Sequence, residues 1–158
     1  MILMKNIKTY VISFIFIGIA TFANAQELGI RIGSNWGNNT AVDGIFKAGK
    51  FSRIHADLSF GDGISTEALW DFVYKPLGQD GLNWYAGVGV STFFGNSSMY
   101  SYTSTFHLGI PGELGLEYRF KGAPLALGID WRPVMVIFDN TSLNAVEFGL
   151  NFRYVFGK

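Results

Sequence analysis

The chain has 158 residues, 49% of them hydrophobic and 16% aromatic, with 20 glycines, no cysteine and a formal charge of zero. That length makes one domain, and the even charge gives no basic face for nucleic acid. Without cysteine there is no disulfide framework and no residue to carry the lipid of a lipoprotein.

The first element is a leader. Residues 1–10 carry Lys5 and Lys8 and no acid, 11–23 are almost wholly apolar, and Ala23-Asn24-Ala25 comes next. A basic start, a short apolar run and an A-x-A site predict a cleaved secretory signal peptide over 1–25. The mature domain is then 26–158, where twelve acids face ten bases. No later stretch holds 18 successive apolar residues, so no transmembrane helix is expected.

Beyond the leader, apolar residues recur with period two, the pattern of strands. Leu28, Ile30 and Ile32 oppose Gly29, Arg31 and Gly33. A weaker stretch covers 40–47. Ile54, Ala56, Leu58 and Phe60 oppose Arg53, His55, Asp57 and Ser59. Ala68, Trp70, Phe72 and Tyr74 oppose Glu67, Leu69, Asp71, Val73 and Lys75. Trp84, Ala86, Val88 and Val90 oppose Tyr85, Gly87, Gly89 and Ser91. Leu114, Leu116, Tyr118 and Phe120 oppose Glu113, Gly115, Glu117 and Arg119. Leu125, Leu127, Ile129 and Trp131 oppose Ala126, Gly128, Asp130 and Arg132. Val146, Phe148, Leu150, Phe152, Tyr154 and Phe156 oppose Glu147, Gly149, Asn151 and Arg153. Seven clear strands and one weak one make an even number, which closes an antiparallel barrel with both termini on one side. Pro133 interrupts the seventh run, where a proline requires a bulge or a strand end.

The connections 47–50 and 121–124 are short, 76–83 is moderate, and 94–107 is long, uncharged until His107 and rich in Ser, Thr and Tyr. Short turns on one side and longer loops on the other are the asymmetry of a membrane barrel. Its apolar face meets lipid and its polar face the lumen. The predicted fold is therefore all-β: an eight-stranded antiparallel up-and-down transmembrane β-barrel with a filled polar lumen.

The lumen face carries Arg31, Arg53, Lys75, Arg119, Arg132 and Arg153 with Asp57, Glu67, Asp71, Glu113, Glu117, Asp130 and Glu147. The signs nearly balance. An eight-stranded interior has room only for side chains, so these charges are expected to pair as a salt-bridged plug. The tight turn 121–124 suggests a register: Phe120 opposite Leu125 sets Glu117 against Gly128, Gly115 against Asp130 and Glu113 against Arg132. Aromatics form two bands, Trp84, Phe120, Tyr154 and Phe156 at one set of strand ends and Trp36, Phe60, Phe93 and Phe94 at the other. Such bands suit the two membrane interfaces.

The last strand resembles the C-terminal assembly signal of outer-membrane barrels: Glu147, Gly149, Phe152 and Tyr154 occupy its polar, glycine and aromatic positions, and Phe156 its terminal aromatic, with Gly157 and Lys158 running past the pattern. With stretches such as Arg53–Phe60, Gly115–Phe120 and Asp130–Pro133, the mature chain looks like the small OmpA/OmpX-type barrels, especially those of Bacteroidetes. The resemblance implies an outer-membrane location, outer-membrane lipid as surroundings and the barrel-assembly machinery as a partner during biogenesis. It implies no ligand or reaction, because function lives in sites rather than folds.

Candidate chemistry is sparse. His55, Asp57 and Ser59 share one face, but residues two apart on a strand are about 7 Å apart, too far for a hydrogen-bonded triad. His55 and His107 make no metal motif, and His107 reads as a solvated loop residue. Asp62 and Asp80 read as turn residues, and no glycine loop cradles a phosphate. Neither cofactor nor metal is expected, nor an enzyme. In the loop at 94–107, Asn96, Met99, Tyr100 and Tyr102 are candidate contacts for an extracellular ligand, although a plain solvated connection accounts for the same composition. The expected role is structural or loop-mediated recognition, without an open pore. Two rivals stay open: a lipid-modifying outer-membrane enzyme, and a soluble periplasmic barrel with its faces reversed around an apolar ligand.

Overall fold

Every stretch of period-two alternation becomes a strand. The structure, a computed structural model, describes residues 25–36, 38–95, 106–138 and 141–156. The described residues form ten strands: β1 (Glu27–Asn35), β2 (Asn38–Lys47), β3 (Arg53–Phe60), β4 (Gly63–Pro76), β5 (Leu82–Gly95), β6 (Phe106–Arg119), β7 (Leu125–Trp131), β8 (Val134–Phe138), β9 (Ser142–Asn144) and β10 (Phe148–Val155). They make eight staves, because β7 continues into β8 and β9 into β10. Each stave pairs antiparallel with its chain neighbours, and β10 returns to pair with β1, Leu28 opposite Tyr154 and Ile32 opposite Leu150. The sheet is thus a closed up-and-down barrel, with no helix among the described residues. Closure removes the sheet edges that would otherwise present unpaired backbone.

The expected register at the 120–124 turn is present. Phe120 N donates to Leu125 O at 3.0 Å, and Glu117 lies opposite Gly128 and Gly115 opposite Asp130. Pro133 falls in the gap between β7 and β8, and the main chain holds across it through Arg132 N to Glu147 O at 2.7 Å. A second proline leaves its own gap. Around Pro111 the β5–β6 ladder lapses between Val88–Gly112 and Ser91–Gly109, since proline has no N–H to offer.

The connections differ from expectation. At the end that holds both barrel termini they span 48–52, 77–81 and 120–124. At the opposite end, two are as short as two residues, 36–37 and 61–62. The asymmetry therefore rests chiefly on 96–105, which joins β5 to β6 and lies, with Asn96, Met99, Tyr100 and Tyr102, outside the described residues. The leader residues 1–24 lie outside them as well. The barrel thus has a turn end, with 48–52, 77–81 and 120–124, and a loop end opposite it.

The interior is polar and the exterior apolar. Ile30, Trp70, Val90, Leu114, Ile129, Leu150 and Phe152 stand exposed on the outside, while fourteen of the chain's charged side chains, among the described residues, are buried or half-buried within. The buried hydrophobic cluster is small: Trp36, Phe93, Val134 and Val136. Among the described residues no helix is long and apolar enough to cross a membrane, which has no bearing on a barrel that crosses with strands.

Candidate functional site

The alternation that builds each stave aims every second side chain at the barrel axis, so the lumen is the place where chemistry-bearing groups meet. At its centre Arg132 gathers carboxylates from three other staves. Nε bonds Glu113 at 2.7 Å, and Nη1 bonds Glu67 at 3.1 Å and, more closely, Asp57. Arg31 grips Asp130 at 2.6 Å, and Asn151 donates to the same carboxylate at 2.7 Å. Nearer the turn end, Arg53 bridges Asp71 at 2.7 Å and Glu117 at 2.8 Å. Arg153 joins Asp43 at 2.9 Å and also meets Glu117. Arg119 bonds Glu117 at 2.9 Å and pairs with Glu27 at the mouth. Arginine suits these roles because its planar fork serves several acceptors at once.

Small residues make room for these groups. Tyr85 is fully buried, with Arg53 Cζ 4.3 Å from its ring centre. Its ring occupies the space that a side chain at Gly115 would need. A Cβ on Gly149 would sit 2.5 Å from Cζ of Arg31. Large side chains thus lie over glycines of neighbouring staves, which fills the lumen as a plug.

Twelve of the thirteen predicted lumen charges are in the lumen, Arg119 half-buried at its mouth and the others buried. Lys75 is the exception and is exposed. The β4–β5 register shifts between Asp71 and Val73, leaving Phe72 as a bulge. A bulge adds one residue to one strand and so reverses the facing of the residues beyond it. Tyr74 therefore turns inward and donates to Glu117 at 2.8 Å, while Lys75 turns out. Two acids unremarked in the sequence join the network: Glu27, which shares the parity of Arg31, and Asp43, from the weakly patterned β2.

These changes overturn the near-balance of charge. Among the described residues the lumen buries nine carboxyl groups, Glu27, Asp43, Asp57, Glu67, Asp71, Glu113, Glu117, Asp130 and Glu147, against four arginines, with Arg119 and His55 as further partners. Unpaired buried charge costs several kcal/mol per ion even after relaxation. Such an interior cannot be both dry and fully ionised.

His55 lies within this network. Its Nε2 is 2.7 Å from Asp43 and its Nδ1 3.1 Å from Glu113. Asp57 is 3.9 Å away, and Ser59 is engaged elsewhere, with Ser65 and with Asn38 at 3.0 Å. The set His55, Asp57 and Ser59 is not brought together as a triad. Donor atoms of Asp43, His55 and Asp57, and of His55, Asp71 and Glu113, do lie within 4.8 Å of one another. A guanidinium already occupies the neighbourhood, since Arg132 Nη2 is 2.9 Å from Nε2 and 3.2 Å from Nδ1 of His55. A cation so placed disfavours a second one, so the geometry fits ion pairing better than metal ligation.

The loop end is closed differently. Trp36, expected in an outer aromatic band, has φ 49° at the tip of the β1–β2 turn and is buried to 3% exposure. It stacks on Phe93 and His107 at ring-centre distances of 6.2 Å each. Phe93 and His107 are inward too, so neither the interfacial place expected for Phe93 nor the solvated place expected for His107 holds. Both result from strand length: β5 and β6 run 14 residues each, and the inward parity of Tyr85 and Glu113 carries through to Phe93 and His107. Phe60 and Phe94 do face outward. At the turn end, a vestibule of about 470 Å³ is lined by Glu27, Lys47, Lys50, Arg53, Tyr74 and Arg119 among others.

Of the residues of the C-terminal pattern, Glu147 is buried and bonded by Asn144, Gly149 lies under Arg31, and Phe152, Tyr154 and Phe156 are exposed on the outside. The chain matches no protein-family model, no curated protein and no solved structure.

Proposed function

We propose that the chain is an integral outer-membrane β-barrel of the small OmpA/OmpX-like kind, exported by a cleaved leader, with a structural role or one in recognition through the loop at 94–107. The observation that carries this reading is the distribution of side chains: an apolar exterior around a charged, ion-paired interior. In water that arrangement would leave large apolar residues solvated on every stave, far beyond the patch a soluble monomer tolerates. In lipid it satisfies every backbone group through a closed sheet.

The lumen works as a structural plug rather than a pore or a catalytic chamber, because guanidinium–carboxylate pairs cross it from wall to wall. The exposed aromatics Phe152, Tyr154 and Phe156 are the surface offered to the barrel-assembly machinery during biogenesis. A soluble barrel carrying an apolar ligand would need the opposite facing of every stave. The test is heat-modifiable migration on SDS gels with protein from separated outer-membrane and soluble fractions. An outer-membrane band that shifts on boiling is expected. A soluble band without a shift would overturn the reading.

A further inference from the structure

Lysines and arginines part company in this barrel. The arginines point into the lumen, whereas the lysines of the described residues, Lys47, Lys50, Lys75 and Lys121, are all exposed and all at the turn end. Lys47 closes β2, Lys50 lies in the 48–52 turn, Lys75 stands beyond the bulge near the end of β4, and Lys121 lies in the 120–124 turn. Of the acids there, Asp80 pairs with Lys121 at 2.5 Å, and Glu27 is buried against Arg119 and Arg153. At the loop end the described residues include no lysine or arginine near the rim, and the turn 61–62 exposes Asp62.

The lysines are also interleaved with apolar groups at the border of the greasy exterior. Phe51 is 47% exposed, with Lys50 Nζ 5.2 Å and Lys75 Nζ 6.0 Å from its ring centre. Leu77, Tyr154 and Phe156 stand exposed at the same end. A long lysine stem lies along apolar surface while its ammonium reaches the polar boundary. We infer that the turn end of the barrel binds the anionic headgroups of the lipid leaflet beside it, through a girdle of Lys47, Lys50, Lys75 and Lys121. The inference rests on the membrane reading above and adds a lipid preference to it. Charge, not shape, carries the recognition, since the four ammonium groups come from three separate connections of the rim, Lys47 and Lys50 sharing the one between β2 and β3.

The experiment uses the folded full chain in bilayer nanodiscs of phosphatidylcholine and phosphatidylglycerol at seven to three, with the lipids retained on extraction counted by native mass spectrometry. A lysine near an anionic surface favours it by about fivefold, so the ratio of phosphatidylglycerol to phosphatidylcholine among the retained lipids is expected at ~tenfold over the bulk ratio once the pairing of Lys121 is allowed for. The enrichment should fall severalfold in 1 M salt, where the screening length is about 3 Å. It should vanish in the fourfold variant K47Q/K50Q/K75Q/K121Q and persist when all four become arginine. These positions are exposed, so folding is checked simply by the heat shift. Equal retention of the two lipids, or enrichment that survives the glutamine variant, overturns the inference while leaving the membrane barrel in place. A chain that never enters pure phosphatidylcholine bilayers overturns the membrane reading itself.

Discussion

Arg132 shows how much one side chain carries here. Its guanidinium meets Asp57, Glu67 and Glu113, which reach it from β3, β4 and β6. Replacing it with methionine keeps the length and strands three carboxyl groups in a closed lumen. Breaking a buried ion pair by removing one partner costs about 3–5 kcal/mol, so R132M should lose at least that in denaturant unfolding from lipid vesicles. Adding Asp57→Asn and Glu113→Gln to R132M should recover part of the loss, because the stranded charge goes with them. Shape is equally strict at Gly115, whose missing side chain leaves the space filled by the Tyr85 ring. Gly115→Ala should destabilise by about 1–3 kcal/mol, the usual cost of overpacking. The double variant with Tyr85→Ala should regain a good part of that, and the same unfolding measurement reads both.

At the scale of the strand, facing is decided by parity until something breaks the count. Parity set Arg53, Glu67, Glu113, Asp130 and Arg153 on the polar face of their strands from the sequence alone, and the 120–124 turn was enough to set Glu113 near Arg132. Two kinds of feature were illegible. The Phe72 bulge leaves no mark in the alternation, because Phe72, Val73 and Tyr74 are all compatible with either face, so Lys75 was misplaced by one step. In β2, inward Asp43 lies between inward Ala41 and Ile45, so its parity carries no polar signature. Strand ends were harder still: the extra reach of β5 and β6, which takes Phe93 and His107 inside, lies beyond the clear repeat. Where parity does hold, it makes a sharp prediction. Ile129 faces outward at 49% exposure between Leu116 and Leu150. Ile129→Arg should cost about 2–4 kcal/mol if that face meets the middle of a bilayer, against about 0–1 for Asn39→Arg near the loop-end rim. Equal small costs in vesicle unfolding would mean that the outer face of β7 is not in lipid.

For the molecule as a whole, the tryptophans report the inside and the outside separately. Trp36 is sealed beneath the loop end at 3% exposure, whereas Trp70 on β4 stands outside at 53% and Trp131 on β7 at 37%. Chains with one tryptophan retained and the others changed to phenylalanine can be folded into vesicles of bromine-labelled lipid, where quenching requires contact with the acyl chains. Trp70 and Trp131 should be strongly quenched and Trp36 hardly at all, although all three belong to the same barrel. A soluble barrel would leave all three unquenched by the acyl-chain bromines, and a lumen open to water would expose Trp36 to aqueous acrylamide. The stack of Trp36 on Phe93 and His107 argues against that last outcome, because those rings, with Val134 and Val136, close the axis just where the charged interior ends. The two closures differ in kind. The loop end is shut by apolar stacking, which excludes water by its surface, and the middle by ion pairs, which hold opposite walls together by charge. Trp36→Gly would remove the first without touching the second, and planar bilayers holding that variant should still show no steady conductance.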